Sequence, residues 1–203
     1  MLVLQGLALF AFIPLVLWLF LVQPLGPGLS LALGLVIMFG HRLMAGPWAV
    51  RHARERCVWC GRPGAPAQDV PVAGASGTLP FGACIAAHAD AARRFFGYTD
   101  RHRVPIGLGI FLPLAVLLGG TLLAASRVEV LPHAVNALQF RVIVALTVVT
   151  VSLAYRSAQP SEAPRSAFPV HNLFLLGIRN TLWVFRIVGG WWLIAAALRF
   201  ARP

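Results

Sequence analysis

Lysine is absent from this chain and acids are few: all 17 basic residues are arginine, six residues are Asp or Glu, and charged side chains amount to 11% of 203 residues. Soluble domains carry about a quarter charged residues. With 59% of its residues hydrophobic, the chain is expected to have lipid rather than water as its main solvent. Arginine at every basic position reads as the codon bias of a GC-rich bacterial genome rather than as chemistry. The net charge of +11 would suit nucleic acid only if it formed a patch on a soluble face. Here the arginines flank apolar runs, as orientation signals do under the positive-inside rule, so no nucleic-acid partner is expected. Three cysteines cannot build an extracellular framework of paired disulfides and fit a reduced compartment. The apolar runs contain no carboxylate, which removes the usual proton-relay residues of carriers and pumps. No nucleophile stands beside a base and no glycine-rich phosphate loop occurs, so no catalytic residue is expected.

What the chain has instead is apolar length. Leu2 to Val22 contains no ionisable side chain and is long enough to cross a hydrocarbon core. It lacks the charged start and small-residue cleavage site of a signal peptide. The Pro- and Gly-bearing stretch Gln23 to Gly28 reads as a tight turn, and a second span runs from Leu29 to about Ala45. Further spans are expected over Val104 to Ala125, with Pro113 inside it, and over Ala137 to Tyr155. The final apolar segment, from Val170 to Phe200, is interrupted by Arg179 and Arg186. On a helix these two share an arc of about 100° with His171 and Asn172. The segment therefore either lies at the interface as an amphipathic helix, with Gly189 and Gly190 as a break, or crosses the bilayer with its arginines turned toward protein. The basic loop between the second and third spans, and the linker carrying Arg156 and Arg165, mark the cytoplasmic face. A bis-histidine haem could draw only on His41 and His171; capping or interfacial roles are commoner for such residues.

One constellation carries chemistry. Cys57 and Cys60 stand in RCVWCGRP, a spacing that lets two thiolates converge on one metal while Gly61 accommodates a sharp turn. Short strands are expected at Gln68 to Val72 and Thr78 to Phe81, around a turn at residues 74–77. An alanine-rich helix from Gly82 to Phe96 would then place Cys84 and His88 one turn apart on one face. Knuckle, hairpin and helix would bring Cys57, Cys60, Cys84 and His88 together as a closed Cys3His set, the chemistry of structural zinc. Iron–sulfur ligation is the sharper rival, and inert buried thiols the plainer one. Gly61 excludes c-type haem attachment, which needs histidine there. Over residues 55–96 this order resembles the treble-clef zinc knuckle, and the resemblance implies a module folded around one Zn2+.

The expected architecture is thus an all-α polytopic membrane protein of four to five transmembrane helices, with a treble-clef-like zinc module inserted between helices 2 and 3. Its parts would be a helical hairpin (1–45), a cytoplasmic zinc module (46–103), a second hairpin (104–156), a linker (157–169) and an amphipathic or transmembrane C-terminal helix (170–203). The expected setting is the bacterial cytoplasmic membrane. The expected role is a non-enzymatic accessory or assembly subunit, in contact with other membrane subunits and anionic lipids. Arg93, Arg94, Arg101, Arg103, Arg179 and Arg186 are the candidate contacts. The alternative is an enzyme or carrier that acts on an anionic lipid through Arg179 and Arg186.

Overall fold

The computed structural model describes residues 36, 55–64, 67–74, 77–125, 132–162, 164–165 and 177–200. The first hairpin, with Leu2 to Val22, the turn at Gln23 to Gly28, and the second span, lies outside the described residues except for Val36. So do His41, Arg51, Arg54, His171 and Asn172. Among the described residues the order is β1 (Gln68–Gly74), β2 (Gly77–Ala83), α1 (Ala86–Arg101), α2 (Arg103–Ala125), α3 (His133–Ala154), a single 3-10 turn (Tyr155–Ser157) and α4 (Ile178–Phe200). These residues fall into two compact units, divided after Arg101, Tyr155 and Thr181.

The first unit is built on a two-stranded antiparallel sheet, in which Val70 faces Phe81 and Val72 faces Leu79. Side chains alternate across a strand, so Val70, Val72, Leu79, Phe81 and Ala83 share one face, and all are buried. Helix α1 covers that face with Ala89, Ala92, Phe95, Phe96 and Thr99, a stripe at the spacing of an amphipathic helix. Phe96 stacks on Phe81 with ring centroids 5.8 Å apart. Both strands run further than expected, and the helix begins at Ala86 rather than Gly82. The linker is part of this unit. The Ala73 N–H donates to the Pro164 carbonyl at 2.9 Å, Arg165 bridges to Ala73 in parallel, and the Arg165 N–H donates to an Asp100 carboxylate oxygen at 3.3 Å. A Cβ at Gly97 would lie 3.0 Å from that of Ser161, so the linker runs close over α1.

In the second unit α2 and α3 pack as a helical pair. Pro113 has no N–H for the carbonyl of Gly109, four residues earlier. The Thr147 hydroxyl lies 3.4 Å from that carbonyl and 2.8 Å from its own helix's Ile143 carbonyl, and its single proton serves both. Helix α3 starts at His133, four residues before the expected Ala137, and so takes in Asn136. This fully buried amide donates to the Val116 and Leu117 carbonyls at 3.3 Å, while Gln139 reaches the Pro113 carbonyl at 3.4 Å. In a hydrocarbon setting an unpaired amide costs several kcal/mol, on the order of a lost hydrogen bond or more. The pair therefore holds its register by polar contacts in an otherwise apolar seam.

Helices α2, α3 and α4 are long and apolar enough to cross a membrane. That is three among the described residues, against the four to five expected for the whole chain. Helix α4 is unbroken through Gly189 and Gly190, where the interfacial alternative had a break. A Cβ at Gly189 would meet Val149 Cγ2 at 2.7 Å, so this glycine permits close helix packing instead. Gly109 and Gly120 do the same against Thr147 and Asn136, whereas Gly107, Gly119 and Gly190 face open space.

This asymmetry gives a test. Gly120→Leu drives a side chain into Asn136 and is expected to destabilise the α2–α3 pair by about 1–3 kcal/mol, while Gly107→Leu leaves it unchanged. Detergent-denaturant titration followed by circular dichroism reads both, and equal effects of the two variants would contradict the packing described.

Candidate metal centre

The site grows from a turn that the chain closes by its own backbone. The Gly61 N–H donates to the Cys57 carbonyl at 2.8 Å, the Cys57 N–H to Arg62 at 3.0 Å and the Gly64 N–H to Glu55 at 2.9 Å. Gly61 has φ of 72°, the left-handed conformation that glycine adopts without steric cost. The turn joins the hairpin through the Val58 N–H, which donates to the Gly82 carbonyl at 2.8 Å. Cys84 follows directly on β2, so the same sheet that carries Gly82 to the knuckle carries Cys84 to its thiols. His88 is then supplied by the first turn of α1, whose start is fixed by His88 N–H donation to the Ile85 carbonyl. Cys84 was expected on the helix, four positions before His88. It stands instead in the bend that precedes the helix, and strand and helix deliver the two ligands separately.

All four ligand atoms lie within 4.8 Å of one another. Cys60 Sγ is 3.8 Å from Cys84 Sγ, and Cys57 Sγ is 3.6 Å from His88 Nδ1. With Zn–S of about 2.3 Å and Zn–N of about 2.0–2.1 Å, a tetrahedral ion sets edges of about 3.8 Å between sulfurs and about 3.6 Å between sulfur and nitrogen. These two edges match a zinc polyhedron. The Cys84 Sγ to His88 Nδ1 edge, at 3.0 Å, is shorter, and an ion would open it by about half an ångström. Three soft thiolates and an imidazole form a donor set that zinc takes readily. Nδ1 is the histidine atom that faces the thiols.

The electrostatics split the thiols. Burial raises the Cys57 pKa, but backbone N–H groups of Cys60, Cys84 and Trp59 and the Cys60 thiol outweigh burial, and the value falls from 9.0 to about 6. At Cys84 burial raises the pKa, and hydrogen bonds and negative charge from Cys57 and Cys60 add to it, pushing it to about 11. Cys57 is thus held ionised near neutral pH, as a metal ligand must be, while Cys84 would give up its proton there to a cation at the centre.

The arginines singled out from sequence are not gathered here. Arg93 pairs with Asp90 at 3.6 Å and donates to the Asp69 carbonyl at 3.3 Å, so it ties α1 to β1. Arg94, Arg101, Arg103 and Arg179 have exposed side chains. Arg186 turns onto α3: Nη2 donates to the Ser152 carbonyl, Nε lies 3.4 Å from Ser152 Oγ, and the guanidinium sits 5.2 Å from the Trp183 ring centroid. Ser152 and Asn136 are polar positions whose importance the sequence alone did not signal, because each acts on a helix distant in the chain. Comparison with known protein families, with characterised proteins and with solved structures finds no match for this chain, so its function rests on the site and its surroundings.

For the metal-free protein the sign of the pH dependence follows from the two shifts. The depressed Cys57 pKa contributes stability that is present above 9.0 and is lost as pH falls toward about 6. The raised Cys84 pKa contributes stability that is present below 9.0 and is lost as pH rises toward about 11. Protease resistance of the module in chelator should therefore rise from pH 6 to 9 and decline above it, with one thiolate detected by ultraviolet absorbance near pH 6. Three thiols that titrate together near 9.0 would contradict this.

Proposed function

We propose that this protein is an integral membrane accessory subunit whose zinc module, of treble-clef type, has a structural rather than a catalytic role. The observation that carries the reading is the closed ligand set: four protein atoms converge on one point, and a tetrahedral zinc so held has no position left for water or substrate. The module's small core of Val70, Val72, Phe81, Phe95 and Phe96 is of the size that needs a metal to fold. Helices α2, α3 and α4 supply the membrane part. The linker and the module touch through Ala73, Pro164 and Arg165, which supports placing them on one side of the membrane, and the excess of arginine around them marks that side as the cytoplasm.

The engagement of Arg186 favours this reading over catalysis on an anionic lipid. Ser152 and Trp183 already hold its guanidinium, and remaining donors can meet a carboxylate of a neighbouring subunit or a lipid phosphate. Arg94, Arg101 and Arg103 are exposed and available to anionic headgroups, each such contact worth about 1 kcal/mol near the surface. The partner is another membrane subunit, which contacts the apolar and aromatic faces of these helices.

Arg186→Leu is the test. The variant is expected to insert normally yet to lose most of its stoichiometric co-migration with the partner subunit after mild detergent extraction. A stable monomer with catalytic turnover that Arg186→Leu abolishes would replace the subunit reading with the lipid-acting one.

A further inference from the structure

The carbonyls of the knuckle have partners outside the module's own hairpin and helix. Val58 and Trp59 lie between the two cysteine ligands, and their backbone is arranged in two directions. N–H groups around the turn point to the Cys57 sulfur, among them that of Cys84 at 3.4 Å. The carbonyls of Val58 and Trp59 point away from it and accept from the N–H groups of Ile178 at 2.8 Å and Arg179 at 2.9 Å. Ile178 and Arg179 open helix α4. The first four N–H groups of a helix have no partner within it, so the knuckle satisfies two of the four.

Gly177 makes this approach possible. Its φ is 85°, and a Cβ there would lie 2.6 Å from the Cys60 carbonyl carbon and 2.7 Å from the Trp59 oxygen, and also against the Gly61 nitrogen. Both the backbone conformation and the space exclude a side chain. Its carbonyl then accepts from the Thr181 N–H at 3.1 Å and the Thr181 hydroxyl at 3.2 Å, and Ile178 and Thr181 are buried. Electrostatics act in the same sense. A zinc ion held by three thiolates and a neutral imidazole carries net negative charge, which the positive end of a helix dipole favours.

We propose that the metal centre is a latch for the last membrane-length helix: ligation by Cys57 and Cys60 fixes the Val58 and Trp59 carbonyls, and these hold the first turn of α4 through Ile178 and Arg179. The inference rests on the metal reading above, and adds to it what the metal controls. Release of the ion loosens the knuckle, and the two helix N–H groups lose their acceptors. Linkage requires the reverse as well: docking of Gly177 to Arg179 tightens metal binding, since whatever binds the ordered knuckle stabilises it.

Amide hydrogen exchange on the full-length protein in mild detergent tests this. On removal of zinc by a chelator, the amides of Ile178 and Arg179 should exchange faster by about tenfold or more, while those in the middle of α3 stay unchanged. Gly177→Ala retains all four ligands, so it should bind zinc at the wild-type ratio, yet show the same fast exchange and a faster loss of zinc to the chelator. Gly190→Ala, where the added methyl meets open space, is the control and should match wild type in both. Unchanged exchange at Ile178 and Arg179, in zinc-depleted protein and in Gly177→Ala alike, would overturn the latch and leave the zinc site standing. Wild-type protein that binds no zinc would overturn both.

Discussion

The convergence of three sulfurs and one imidazole nitrogen on a single point is the constraint on which the first unit depends. Its apolar core consists of a two-stranded sheet face and one helix, and a two-stranded ribbon alone is marginal in water. The four ligands reach the centre from three pieces of backbone: Cys57 and Cys60 from the knuckle, Cys84 from the bend after β2, and His88 from the first turn of α1. A cation at that point therefore ties together the three pieces that the core joins only weakly. Without a cation the same arrangement drives Cys57 and Cys84 in opposite directions: backbone N–H groups outweigh burial and lower Cys57, while burial and the neighbouring Cys57 and Cys60 raise Cys84. The hydrogen bonds from the knuckle to the start of α4 extend the constraint from the ligands to a helix far along the chain.

The second unit obeys a different rule. Helices α2, α3 and α4 are long and apolar enough to cross a membrane, and for a helix that does so apolar side chains gain nothing by leaving lipid, so helix contacts depend on close approach and on polar groups that have no water to turn to. Several of the unit's polar residues sit at those contacts. Asn136 and Gln139 bond to carbonyls of α2, Thr147 covers the carbonyl that Pro113 leaves without a donor, and Arg186 caps the Ser152 carbonyl. Glycines at 109, 120 and 189 allow the approach.

What could be read from the chain was local. The C-x-x-C-G turn and the Cys84–His88 pair announced the metal site, because ligand spacing within a turn is a short-range property. Cys84 nonetheless lies off the helix, since a bend and a helix start place the two ligands as well as one helical face would. The apolar runs announced α2 and α3 to within a few residues. Gly177 carried no signal of its contact with the knuckle, because that contact joins segments far apart in the chain and requires the fold to bring them together. Arg186 looked like a charge in need of an outside partner for the same reason. Its acceptor, Ser152, lies on another helix and was unremarkable in sequence.

Whether one zinc ion organises this module through four protein ligands is decided by X-ray absorption at the zinc edge of the purified, gently extracted protein. One zinc per chain is expected, with a first shell of three sulfurs at about 2.3 Å and one nitrogen at about 2.0–2.1 Å, and no oxygen. A shell that contains water oxygen, a shell with fewer sulfurs, or iron in place of zinc would contradict it.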